Sequence, residues 1–183
     1  VRGSLGGELI VVWANGNERQ GSRCDVEGYG DYYSVAPPAG AKNHITVGAL
    51  NSNNDSMTSF SSWGPTDDGR MKPDISGPGC QSGGDNGVTS STSSSDTSTG
   101  SSCGTSMSSP TMTGLTSLFI EDFRVQFPGL GNPPAALVKS IFAHTAVDLG
   151  NTVPDYQSRY GSILWQNAID HIRNGFDQEY EVD

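Results

Sequence analysis

A short apolar run, Glu8 to Ala14 (ELIVVWA), stands between Gly7 and Asn15-Gly16. Its β-branched side chains do not alternate with polar ones, so it reads as a buried strand of a parallel sheet rather than a half-exposed surface strand. Parallel strands cannot be joined by a tight turn, so a chain built on this run needs long connections. The strand should end in a loop at Asn15. A second strand, His44 to Leu50 (HITVGAL), follows an irregular stretch over residues 18 to 40 that contains Pro37-Pro38. Connections of that length are usually functional or mobile.

Ser59 to Gly64 and Lys72 to Ile75 read as short extended segments, the first entering a turn at Gly64-Pro65 and the second at Gly77-Pro78-Gly79. Residues 81 to 102 are almost wholly Gly, Ser, Thr, Asp and Asn, too polar to bury a core of their own, and are expected to form a loop. Beyond them Leu115, Leu118, Phe119, Phe123 and Phe127 fall at helical spacing before a stop at Pro128-Gly129. Ser106 or a neighbour should start this helix, with Pro110 in or near its first turn. A second helix is expected from Pro133-Pro134 to about Ala146, burying Leu137, Val138, Ile141 and Phe142. A third should run from about Ile163 to Asn174, with Leu164, Ala168, Ile169 and Ile172 inward and Gly175 as its stop. Strands thus come first and helices last, without internal repeat or heptad pattern. The tail Asp177 to Asp183 (DQEYEVD) is either a disordered acidic end or the opening of a further strand.

Ten Lys and Arg against 20 Asp and Glu give a formal charge of −10, with no cationic cluster along the sequence. Binding to a phosphate backbone needs several converging cations, which argues against nucleic acid as a partner. The longest apolar run, Leu9 to Ala14, is about a third of the roughly 18 residues that mark a membrane span, so no transmembrane helix is expected. At 183 residues the chain is one domain or part of one. It begins with Val1, and Val1 to Gly7 has neither the basic start nor the apolar centre of a secretory signal, so it reads as processed or as a fragment. The three cysteines, Cys24, Cys80 and Cys103, lack the spacing of a zinc site. Low Lys content with high Ser, Thr and Gly points to a secreted or extracytoplasmic location, where a disulfide survives.

Cys103 to Pro110 (CGTSMSSP) places a serine after a small-residue turn and at the mouth of an apolar helix. A hydroxyl there is held by a rigid element, and the unpaired N–H groups at the positive helix end favour negative charge forming beside it. Taken alone, Ser106 is better read as an ordinary N-cap and Asn15-Gly16-Asn17 as a strand-ending turn. Taken with other segments, the motif resembles the nucleophile signature of the subtilisin-like serine proteases, in which the serine before Met attacks the peptide bond. The resemblance runs in order through Ala14 to Glu18 (ANGNE), Ile45 to Ala49 (ITVGA), Ser59 to Pro65 (SFSSWGP), Lys72 to Gly79 (KPDISGPG) and then GTSM.

The resemblance implies an α/β three-layer subtilisin-like fold with a mostly parallel sheet, incomplete at its N-terminal side. Residues 1–176 would be the C-terminal part of a catalytic domain and 177–183 an acidic tail or the start of a following β-domain. It implies Ser106 as the nucleophile and Asn17 as the oxyanion donor, acting with the Ser106 backbone N–H. Ala14, Asn15 and Gly16 would wall the primary specificity pocket, with Ala36 to Ala39 as a second candidate wall; Trp13 is read as core. In the family the triad runs Asp, His, Ser, and both Asp and His precede the oxyanion Asn. Only sixteen residues precede Asn17 here, and none is Asp or His. His44, His144 and His171 all follow it and are read as structural or solvated. The base and its carboxylate are therefore expected in an N-terminal half outside this chain, and the chain alone is expected to be nearly inert. Ser4-Leu5-Gly6-Gly7 fits the letters of the family's substrate-binding element but stands only 13 residues before Asn17, too close for the helix that should intervene. Val1 to Gly7 is read instead as the tail of that helix and the loop before the strand.

The same resemblance puts Cys80 and Cys103 side by side, as a disulfide closing a loop of about 22 residues. Two buried free thiols are the alternative, and Cys24 would be free or paired outside the chain. Ser108 and Gly77 stand where the family usually has Ala, and both are small. Met107 would be oxidation-sensitive if accessible. The chemistry needs no cofactor. Many relatives bind structural calcium, for which Asp67, Asp68 and Asp85 are candidates, but without EF-type spacing they are read as solvated loop acids. The implied partners are a protein or peptide substrate and the missing N-terminal half, with neither nucleic acid nor membrane. Two other readings are weighed. A sedolisin-type acid peptidase would carry Asp where Asn17 stands, and a non-catalytic scaffold or binding module would not need both Ser106 and Asn17.

Overall fold

The computed structural model describes residues 2–3, 7–21, 26–83, 87–150 and 154–174. In chain order the strands are β1 (Arg2–Gly3), β2 (Gly7–Glu8), β3 (Val11–Ala14), β4 (His44–Asn51), β5 (Ile75–Cys80), β6 (Val88–Ser91) and β7 (Thr99–Ser102). The helices α1 (Thr105–Gln126), α2 (Ala135–Thr145) and α3 (Trp165–Asn174) follow. β3, β4 and β5 form one parallel sheet in that spatial order, while β1–β2 and β6–β7 are separate antiparallel pairs. The α/β class with a parallel sheet is as expected, and so is the order of strands before helices.

β4 lies at the centre of the sheet, and Ile45 to Leu50 are all buried because the strand has a neighbour on each edge and cover on each face. Ile45 and Val47 face the helices and pack with Ile75, Met112, Phe119 and Phe142. Within that core Phe119 meets Phe142 edge to face, centroids 5.3 Å apart, a geometry worth about 0.5–1.5 kcal/mol beyond area burial. Thr46 points to the other face, where irregular chain covers the sheet. Its hydroxyl donates to the Ala39 carbonyl at 2.8 Å and accepts from the Lys72 ammonium at 2.8 Å. Helices, sheet and irregular chain thus make three layers.

The inward stripe of α1 is Thr105, Ser108, Met112, Thr116, Phe119 and Phe123, so half of it is polar. The hydroxyls are satisfied locally or by the sheet: Thr116 donates to Met112 O at 2.7 Å, and Ser108 lies between Gly48 O at 2.7 Å and Gly77 O at 2.9 Å. An apolar count misreads such a face. Leu118, expected at the core spacing, is 52% exposed, and Leu164, expected inward beside α3, is 46% exposed. Val138, Ile141, Phe142, Ala168, Ile169 and Ile172 are buried as expected.

Several local expectations are corrected. The run ELIVVWA is not one strand, since Glu8 ends β2 and Val11–Ala14 form β3, and Trp13 is exposed and stacked on His44 at 5.6 Å instead of lying in the core. β3 is the edge of the described sheet, with no strand beyond it to cover that side. Gly7–Glu8 pairs with Arg2–Gly3 as an antiparallel ladder, which replaces the expected helix tail. Ser59 to Gly64 forms no strand. β5 begins at Ile75 and continues through Gly77-Pro78-Gly79, where a turn was expected; Pro78 is tolerated because β4–β5 pairing is irregular at Leu50/Asn51. Residues 81 to 102, expected to be a loop, contain the β6–β7 hairpin. Its strands bury almost nothing, so cross-strand hydroxyl pairs, Thr89 with Ser101 at 2.8 Å and Thr92 with Ser98 at 2.6 Å, add to the backbone ladder. The expectations for Cys24, Asp85, Gly175 and the tail 177–183 fall outside the described residues.

At the N-terminal end of β5 the Asp74 carboxylate is buried among three cations: Lys72 Nζ at 2.7 Å, Lys139 Nζ at 2.9 Å and Arg159 Nη1 at 2.7 Å. It also accepts the Thr46 N–H at 2.9 Å. Lys139 belongs to α2 and Arg159 to the segment before α3, so one carboxylate pins the helical layer and a distant loop to the sheet. Both Asp74 oxygens are engaged, Oδ1 by Arg159 and Oδ2 by Lys72, Lys139 and Thr46 N–H, and a buried charge is tolerated when it is paired and hydrogen-bonded in this way.

Candidate active site

The C-terminal ends of β3 and β5 meet the start of α1. Gly104 N–H donates to Gly79 O at 2.9 Å, and Asn15 N–H to Val47 O at 3.0 Å, so the loop after β3 and the turn before α1 are fastened to the same sheet end. The Asn15 side chain is buried, its amide donating to Ser62 O. Gly16 has φ +114°, and a Cβ there would stand 2.8 Å from Ser62 Oγ, the atom that accepts the Glu18 N–H. Only glycine fits that turn.

This turn delivers Asn17 to the helix. Asn17 Oδ1 accepts from Thr105 N–H at 2.9 Å and from the Thr105 hydroxyl at 3.0 Å, while Gly16 N–H donates to Thr105 Oγ1 at 3.2 Å. With its oxygen held twice, the Asn17 amide has one orientation, and Nδ2 faces the first turn of α1. A Cβ on Gly104 would lie 3.3 Å from Asn17 Nδ2, 3.4 Å from Met107 Sδ and 3.6 Å from Ser106 N. Glycine at 104 therefore leaves open a space that two N–H donors border. Gly104 is the N-cap and offers no side-chain oxygen, and no acidic residue stands in the first turn. Met107 and Ser108 N–H both turn to Gly104 O and Thr105 N–H to Asn17, which leaves Ser106 N–H without a partner among the described residues. An unpaired donor at a helix N-terminus suits negative charge.

Ser106 is exposed and its hydroxyl makes no hydrogen bond among the described residues. Pro110 sits in the second turn of α1, and lacking an N–H it leaves the Ser106 carbonyl without its helical donor. A cavity of about 510 Å³ opens beside Ser106 between the β6–β7 hairpin and α1, with Thr89, Ser101, Met107 and Thr111 among its walls. Cys80 and Cys103 are joined as a disulfide at the base of that hairpin. Closing a loop of this length is worth about 3 kcal/mol. Replacing both cysteines by serine in the intact protein is expected to lower stability by about that amount, read by urea unfolding, and to raise amide exchange first over residues 88–102.

The structure brings Ser106, Asn17 and Gly16 together; Ala14 is half-buried at the end of β3. No histidine joins them. His44 opens β4 at the opposite end of the sheet, and His144 and His171 lie against each other on α2 and α3, centroids 5.1 Å apart. Asp68 is engaged by Arg70 and Thr66, which hold its carboxyl well down, at about 2. No group of three His, Cys, Asp or Glu that could hold a metal ion is present among the described residues. Thr105 was missed as a site residue; its signal lay inside GTSM, next to the serine that drew attention.

A sequence profile described as the Subtilase family matches residues 2–161. A cuticle-degrading serine protease of Arthrobotrys oligospora is 36% identical over 112 residues, covering 61% of this chain and 22% of that protein. The serine protease AprX of Bacillus subtilis is 47% identical over 55 residues, covering 27% of this chain and 12% of its own length. The CspB protease of Clostridium perfringens superposes with a TM-score of 0.66 at 23% identity, over 79% of this chain and 30% of that one. The chain thus spans less than a third of each of these three proteins. With the profile covering most of its length and the parallel sheet and helices superposing on a protease of that fold, the chain belongs to the Subtilase family.

Proposed function

We propose that this chain carries the nucleophile and the oxyanion site of a serine endopeptidase, and that polypeptide outside these residues supplies the general base and its carboxylate. The observation that carries this is the space at Gly104, bordered by Asn17 Nδ2 and Ser106 N and adjoining an exposed, uncommitted Ser106 hydroxyl. Ser106 Oγ adds to the carbon of a peptide carbonyl while its proton passes to the base. The carbonyl oxygen takes up the electron pair and is stabilised by the N–H groups of Asn17 and Ser106. Collapse expels the amine, which leaves with that proton, and gives an ester on Ser106 that water then hydrolyses. No cofactor enters.

The order of the family's triad supports the division, since its Asp and His precede the oxyanion Asn. Without them a serine hydroxyl is a weak nucleophile, and the chain by itself should be nearly inert. The substrate is a peptide or protein. The Cys80–Cys103 disulfide supports an extracytoplasmic location.

Asn17 tests the oxyanion role. In the intact protein, Asn17→Ala is expected to lower kcat by about 10²–10³, the range established for such a donor in this family, with KM nearly unchanged. An equal rise in KM at constant kcat would instead mark Asn17 as a ground-state contact.

A further inference from the structure

At the end of the sheet opposite Ser106 a cavity of about 430 Å³ is lined by Lys42, Arg70, Lys72, Lys139 and Arg159 around Asp74. Half of the ten Lys and Arg residues of the chain converge there, although its formal charge is −10 and they are spread along the sequence. Among the described residues two carboxylates form ion pairs with them: Asp74 meets three cations by itself, and exposed Asp68 meets Arg70. Three cations around one carboxylate leave positive charge in excess, and the cations repel one another. The surplus is felt by Lys72: burial, only partly offset by Asp74 and reinforced by Lys139 and Arg159, pulls its ammonium down to about 8.

The donors divide into two sets. Lys139 spends its protons on Lys42 O, His44 O and Asp74, and Lys72 is turned to Thr46 and Asp74, so both serve the fold. Lys42 is exposed and its ammonium has no hydrogen bond or ion pair among the described residues. Arg70 uses Nε on Asp68 and Nη1 on Gly40 O, leaving Nη2. Arg159 uses Nη1 on Met71 O and Asp74, leaving Nη2 with a long contact of 3.4 Å to the Tyr160 hydroxyl. Arg70 Nη2, Arg159 Nη2 and the Lys42 ammonium are the donors left to this cavity, and cationic donors gathered in this way favour an oxyanion over a neutral ligand.

We propose that this cavity binds a phosphate- or sulfate-class oxyanion between Lys42, Arg70 and Arg159. The ion would neutralise the surplus left by Asp74 and tie together the loop at residue 42, the turn at residue 70 and the segment at residue 159. This site is independent of Ser106 and of any peptidase activity.

The test is equilibrium dialysis of the intact protein against labelled inorganic phosphate at fixed ionic strength in sodium chloride. Saturable binding of about one phosphate per chain is expected, with an affinity at least about tenfold weaker in Lys42→Gln and restored in Lys42→Arg. The Lys42 ammonium makes no hydrogen bond or ion pair among the described residues, so the variant should fold, which unchanged urea unfolding in phosphate-free buffer would confirm. Absence of saturable uptake by the intact protein overturns the proposal, whether the cavity is empty or filled by a carboxylate from the rest of the polypeptide. Equal uptake by wild type and Lys42→Gln overturns it as well.

Discussion

Ser106→Ala in the intact protein is expected to lower kcat for peptide hydrolysis by at least about 10³-fold, because no ester can form without the hydroxyl and only binding and oxyanion stabilisation remain. The same substitution should leave stability within about 0.5 kcal/mol, since Ser106 is exposed and its hydroxyl bonds to nothing that folding depends on. That separation is the useful part of the experiment. Two residues on, Ser108 is fully buried and bridges β4 and β5 through Gly48 O and Gly77 O. Ser108→Ala should show the opposite pattern, a stability loss of about 1 kcal/mol with activity retained. Burst kinetics with an activated ester would read the acyl-enzyme directly. A full burst from Ser106→Ala would move the nucleophile elsewhere and overturn the proposed chemistry.

Asp74→Ala should be the most damaging single change to stability, costing about 3–5 kcal/mol in urea unfolding. The carboxylate has 3% of its side-chain surface exposed, and its removal strands the equally buried Lys72 ammonium and frees Arg159 and the Lys139 tether together. Lys139→Gln should cost far less, because Lys139 is partly exposed and leaves Asp74 with two cations. If Asp74→Ala and Lys139→Gln were equally mild, the network would be a surface ion pair in energetic terms and not a tie between layers.

How far each feature could be read in advance follows from the range of the interaction behind it. The three helices were legible from periodicity, since Val138, Ile141 and Phe142, or Ala168, Ile169 and Ile172, repeat within a few residues and need no knowledge of their neighbours. Leu118 failed by the same rule, because a stripe containing Ser108 and Thr116 is inward only where sheet carbonyls and the helix's own backbone accept their protons, and Leu164 failed because it stands before α3, outside the helical repeat. The β6–β7 hairpin was not legible in a run of Ser, Thr and Gly, since its order rests on cross-strand hydroxyl pairs and on a disulfide rather than on apolar burial. Trp13 looked like core and is exposed, because apolar content says nothing about whether a strand has a neighbour on its far edge.

The sequence by itself determined the order of strands and helices and the position of Ser106 at a helix start, both set by local spacing and backbone chemistry. It also carried the family resemblance that singled out Asn17. Only the tertiary structure decided that Thr105, 88 residues from Asn17, holds the Asn17 amide in one orientation, and that five scattered cations share a cavity. Such arrangements depend on where the chain returns after long connections, which neither residue type nor spacing encodes. The sheet sets it, because the parallel register of β3, β4 and β5 brings the end of one strand beside the start of a helix far along the chain.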